Sequence, residues 1–113
     1  MRIVKDALSL DELKEMTLAG FGNLVKAVVD IDRELIAVDA ELHSDLEALL
    51  LEDGSIQKSL WGINLYPEMG EDEFIEFDSM INMRPSLGNP SRGVDDEATR
   101  KKIAAVVVKR IKR

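Results

Sequence analysis

The spacing of hydrophobic positions switches along this chain between helical and strand-like periods, and each switch marks an element boundary. Leu10, Leu13, Met16 and Thr17 recur at helical spacing. Ser9-Leu10-Asp11-Glu12 before them reads as a capping box, with Leu8 and Leu13 placed as a hydrophobic staple and Gly20 as the stop. The pattern predicts a helix over 10–19. After Gly20-Phe21-Gly22-Asn23 the period becomes two: Val25, Ala27, Val29 and Ile31 face one way, Lys26, Asp30 and Asp32 the other. The run from Leu35 to Leu42 puts Ile36, Val38, Ala40 and Leu42 on one face. Asp32-Arg33-Glu34 fits the connection of a β-hairpin. Ser44-Asp45-Leu46-Glu47 repeats the capping spacing, and Leu46, Leu49 and Leu50 continue it to Gly54, which predicts a helix over 45–52. Asp53-Gly54 also suits a turn between two strands, so that alternative stays open.

Leu60 to Tyr66 is read as a third strand, closed by Pro67, and PEMGED as a turn. Phe74 to Arg84 is read as a fourth strand, with Ile75, Phe77, Ser79, Ile81 and Met83 on one face and Glu76, Asp78, Asn82 and Arg84 on the other. A loop holding two prolines and two glycines covers 85–94, and Asp95-Asp96-Glu97 opens a last helix through about 111. The expected order is α-β-β-α-β-β-α. It implies an α+β fold, a two-layer sandwich of three helices on a mainly antiparallel four-stranded sheet, whose second face is polar and largely uncovered.

This order, together with LWGINLYP at 60–67, SMINMRP at 79–85, Glu41-Leu42-His43 and GNPSR at 88–92, resembles an uncharacterised family of small archaeal and bacterial single-domain proteins of unknown function. The resemblance covers nearly the whole chain and implies a shared fold. It supplies no activity and no catalytic residues.

At 113 residues the chain is expected to be one domain over 1–113, large enough for a core without metals or disulfides. The absence of cysteine removes disulfides and thiolate zinc sites. No run approaches the roughly 20 apolar residues of a membrane span, and no leader-like segment opens the chain, so a cytoplasmic location is expected. Residues 1–99 hold 22 acids against 8 bases, and residues 100–113 hold 7 bases and no acid. An acidic body repels phosphate backbones, so no nucleic-acid partner is expected. Acids at 95–97 and bases at 109–113 suit the two ends of a helix dipole, and the basic end can also dock on an acidic body.

Candidate chemistry gathers at Asn82, Arg84, Asn89, Ser91 and Arg92, with His43 and Asp78 beside them on the expected polar face. Two guanidinium forks and a Gly/Ser loop suit a small anionic or polar ligand, and Arg84 and Arg92 acting on one anion is the sharpest form of that expectation. The competing explanation is internal pairing, chiefly with Asp78 or Asp95. Asp39, Glu41 and His43 alternate on the expected second strand, about 7 Å apart, but a lone histidine argues against a metal site, and none is expected. His43 could serve as a general base beside Asp78 or Glu76, although no nucleophile or cofactor fingerprint accompanies it. Whether the chain is an enzyme, and with what cofactor, is left open. Open sheet edges make a homodimeric interaction module the alternative to ligand binding.

Overall fold

The fold is described from a computed structural model covering residues 1–113. The chain runs β1 (Arg2–Val4), β2 (Leu8–Ser9), α1 (Leu10–Ala19), β3 (Val25–Asp30), β4 (Leu35–Val38), α2 (His43–Glu52), β5 (Leu60–Leu65), β6 (Ile75–Glu76), α3 (Glu97–Arg110) and β7 (Ile111–Lys112). It is α+β, with three helices and a mainly antiparallel sheet. The main sheet has five strands in the order β1-β4-β3-β5-β6, every neighbouring pair antiparallel. β2 and β7 form a separate parallel pair that ties the start of the chain to the end of α3. The expected four-stranded sheet missed β1, whose three residues are too few to show a period.

Both faces of the sheet are covered, which corrects the two-layer expectation. Alternate residues along a strand point to opposite faces, and here both sets are apolar. Val25, Ala27, Val29, Ile36, Val38, Ile63 and Leu65 join Leu13 of α1 and Ile103, Val106 and Val107 of α3 in one core. Val28, Ala37 and Leu60, pointing the other way, meet Leu46 and Leu50 of α2 in a smaller one. Val28 shares its strand parity with Lys26 and Asp30, yet with Ala37 it forms the floor on which α2 lies. Truncating Leu46 or Leu50 to alanine would cost about 2–5 kcal/mol by the usual cavity rule.

Local chemistry explains where the elements stop. Ser9 Oγ accepts the N–H of Glu12 at 3.1 Å, so half of the capping box forms. The Glu12 carboxylate pairs outward with Arg2 at 3.2 Å. In the β3–β4 turn, the buried Asp30 carboxylate accepts the N–H groups of Asp32 and Arg33, and Glu34 takes φ +56°. β4 stops at Val38, earlier than expected, because Asp39 takes φ +74° and ends the ladder. The 45–52 segment is helical, as favoured, but it begins at His43. Leu42 is the N-cap and offers no capping side chain, while Ser44 lies inside the helix. Asp96 caps α3, accepting the N–H of Thr99 at 2.9 Å.

The expected fourth strand survives only as Ile75–Glu76. Ser79 then caps a tight 3-10 turn over Met80–Asn82, and Pro85–Leu87 forms another that ends on Gly88 at φ +83°. The reason lies on β5. The backbone N–H and carbonyl of Gly62 point to the margin of β5 that β6 leaves uncovered, and Gly62 has no side chain to hold a neighbour away. The Asn82 carboxamide takes that place: its Oδ1 accepts the Gly62 N–H at 2.8 Å and its Nδ2 donates to the Gly62 carbonyl at 2.9 Å. Two residues nearer the start of β5, the Leu60 carbonyl accepts from the Arg84 guanidinium. Side chains thus continue the margin where β6 stops. No helix is long and apolar enough to cross a membrane.

Candidate functional site

The residues expected to form a site separate into two groups. Asn82, Asn89, Ser91 and Arg84 hold the fold together. Asn82 is fully buried and, besides Gly62, donates to the Arg92 carbonyl at 3.0 Å. Asn89 pairs its backbone with Arg84 and donates from Nδ2 to the carbonyls of Asn82 and Gly93, while its Oδ1 accepts the Asp95 N–H. Ser91 donates to the Asp95 carboxylate at 2.8 Å. The Arg84 guanidinium donates to the carbonyls of Ile81, Lys58 and Leu60 and lies 4.7 Å from the Trp61 ring. Burial holds its pKa below the usual arginine value.

The second group comes together. His43, the first residue of α2, and Arg92 line one hollow of about 210 Å³ with Lys26, Leu42, Ser44, Ser79, Met80 and Ile81. Arg92 Nε donates to Asp78 Oδ1 at 2.7 Å, so the internal carboxylate expected as a competitor does hold this arginine. Arg84 opens instead on a different hollow with Glu47, Met83 and Pro85. The two guanidinium groups therefore have separate partners, which corrects their expected convergence on one anion. Arg84 also does not sit on a strand of the sheet: it lies between two tight turns and pairs only with Asn89, in an isolated bridge.

Electrostatics gives the hollow its character. His43 Nε2 lies 2.8 Å from the Ile63 carbonyl, an acceptor only, so Nε2 carries the ring proton. Burial pushes the His43 pKa below 6.5, and the nearby Lys26 and Arg92 cations push the same way, against the Ile63 carbonyl and Asp78. The ring is neutral, and Nδ1 is a bare acceptor. Lys26 stands on β3 opposite Asn64, its ammonium 5.1 Å from the Phe21 ring and without a carboxylate partner. Ser79 Oγ accepts the Ile81 N–H at 3.3 Å and keeps its own hydrogen to give. The missing side-chain cap at Leu42 leaves the first N–H groups of α2 facing this end.

Beside the hollow, Asn64 Nδ2 and the Tyr66 hydroxyl both donate to Glu76 Oε1, at 2.7 and 3.0 Å. Asn64 Oδ1 is enclosed without a partner. Burial and the Glu76 carboxylate push the Tyr66 phenol up, so it stays a neutral donor. Tyr66 lies on the polar side as expected. Trp61 packs against the larger core from a half-buried position, as expected from its parity with Ile63 and Leu65. Asp39 and Glu41 fall after the end of β4 and His43 opens a helix, so these three do not align on a strand. No group of three histidine, aspartate or glutamate side chains is arranged to hold a metal ion.

A family model described as "Protein of unknown function (DUF5674)" matches residues 2–110. The chain belongs to the DUF5674 family. No curated protein and no solved structure matches it significantly. Lys26, Ser44 and Ser79 are the polar members of this DUF5674 hollow that sequence patterning missed. Lys26 read as an ordinary solvated strand position, and its only signal was sharing a face with Asp30 and Asp32. Ser79 was assigned to the apolar face of a strand that does not form.

Proposed function

We propose that this protein binds a small anionic ligand in the hollow between the start of α2 and the turn after β6. The observation that carries this reading is that Lys26, a half-buried residue with no ion-pair partner, lines one cavity together with Arg92, Ser44, Ser79 and a buried neutral histidine. Uncompensated positive charge in a concave polar site favours an anion, and the free N–H groups of the helix start add to it. Of the larger hollows, two flank α3, one a shallow surface of mixed charge and the other mainly apolar, and in a third the Arg84 guanidinium is already held by backbone carbonyls. Asp78 orients Arg92, and His43 orients the ligand. Calorimetric titration with inorganic phosphate tests the reading. Lys26→Met should weaken phosphate binding by about tenfold or more, the loss expected of a charge-assisted bond, with the melting temperature little changed. Absence of phosphate binding by the wild type would overturn it.

The second reading is a homodimeric interaction module without catalytic activity. It draws support from Met80, Met83 and Leu87, large apolar side chains exposed within one eight-residue stretch, with Leu42 exposed beside the same hollow as Met80. Sedimentation velocity across a concentration series checks it. A dimer that Leu87→Glu converts to monomer would support it, and a wild-type monomer throughout would count against it.

A further inference from the structure

We infer that this hollow selects an oxyanion that still carries a hydrogen, hydrogen phosphate over sulfate, by presenting it the bare Nδ1 of His43. The inference rests on the anion-binding reading above and adds what that reading leaves open, the protonation state of the ligand.

The argument begins with the Ile63 carbonyl. It has lone pairs only, so the His43 nitrogen 2.8 Å away must donate, and a neutral imidazole has one hydrogen. That fixes the tautomer with Nδ1 unprotonated. His43 is 9% exposed, Nδ1 has no partner in the protein, and it is not among the enclosed orphan atoms, so its access is through the hollow that the ring lines. The groups facing the ring are Lys26 from β3, Asp78 from the segment after β6 and Arg92 from the following loop. Two of these three are cations and oppose a second proton on the imidazole.

The rest of the hollow donates. Lys26 Nζ, the Ser79 hydroxyl and the helix-start N–H groups can all give a hydrogen, and Arg92 keeps its terminal N–H groups because Asp78 engages only Nε. A fully deprotonated tetrahedral anion satisfies those donors but brings a lone pair against the lone pair of Nδ1. Hydrogen phosphate satisfies the same donors and gives its remaining O–H to Nδ1. The two ions are close in size and equal in charge in mild alkali, so the single hydrogen separates them. A buried acceptor left unpaired typically weakens binding by roughly tenfold.

Isothermal titration of the full chain with phosphate and with sulfate, at about pH 8 where the imidazole is neutral, is the test. The expected result is phosphate binding at least about tenfold tighter than sulfate, and a ratio within about twofold in His43→Leu, which has no acceptor to leave unpaired. Equal affinities in the wild type, or a ratio that survives in His43→Leu, would overturn the proton selection while leaving anion binding intact. Failure of both ions to bind would retire the anion-binding reading and this inference with it. Nitrogen NMR of the wild type gives a second measurement should His43→Leu fail to fold. Phosphate should shift His43 Nδ1 toward a hydrogen-bonded value and sulfate should not, and equal shifts would overturn the inference.

Discussion

At the scale of the residue, the amide side chains of the expected site carry structure. Asn82 and Asn89 looked like ligand-orienting groups because exposed loops enriched in asparagine and arginine often are. Both are buried, and each serves several backbone groups that no strand or helix satisfies. Nothing in a linear pattern separates an amide aimed at a ligand from one aimed at its own backbone. His43 makes a prediction of its own. Its folded pKa lies below 6.5, so between that lowered value and 6.5 the unfolded chain binds more protons than the folded one. Stability should therefore be fully present above 6.5 and decline as pH falls through this window. Urea denaturation at a series of pH values should show the decline in the wild type and lose it in His43→Leu. The exposed carboxylates of Glu34, Asp53 and Asp96, held low by their partners, act only at more acid pH.

At the scale of the element, helices were more legible than strands. Helical spacing located α1, α2 and α3 to within a few residues, and the expected cap chemistry is present at Ser9 and Asp96 but not at α2. The segment 74–84 alternated convincingly and still formed only a two-residue strand. Its conformation is decided by β5, twenty residues away in sequence: Gly62 admits the Ser79 and Asn82 side chains where a strand would otherwise run. An added Cβ at Gly62 would stand 2.5 Å from Ser79 Cβ and 2.6 Å from its Oγ. Gly62→Ala should destabilise the protein by about 1–3 kcal/mol, the usual cost of overpacking. Ser79→Gly should recover part of that loss in the double variant, as read by melting curves of the four proteins in the cycle. Additive losses would show that the contact does not set the turn. The 3-10 turn also explains why Ser79 was missed, because it brings Ser79 to the hollow that His43 lines and leaves Arg84 on another.

At the scale of the whole molecule, the uneven charge was legible and its disposition was not. The basic end of α3 lies on the acidic body: Lys109 pairs with Glu34, and Arg110 donates to the carbonyls of Glu34 and Asp6. Arg100 and Arg113 lie over Phe77 and Phe74. With these cations engaged and a formal net charge of −7, the protein should bind neither DNA nor RNA at about 0.2 M salt. Fluorescence anisotropy with labelled oligonucleotides checks this, and retained tight binding at that salt would contradict it. The margin of β5 bears on a different hazard. A bare strand edge is a template on which a foreign strand can grow, and runs of such pairing end in fibrils. Here the Asn82 carboxamide and the Arg84 guanidinium occupy the hydrogen-bonding stations that a recruited chain would need. A variant lacking both would lose its guard against polymerisation along with its stability, so the insoluble fraction would grow faster than the unfolded fraction alone accounts for.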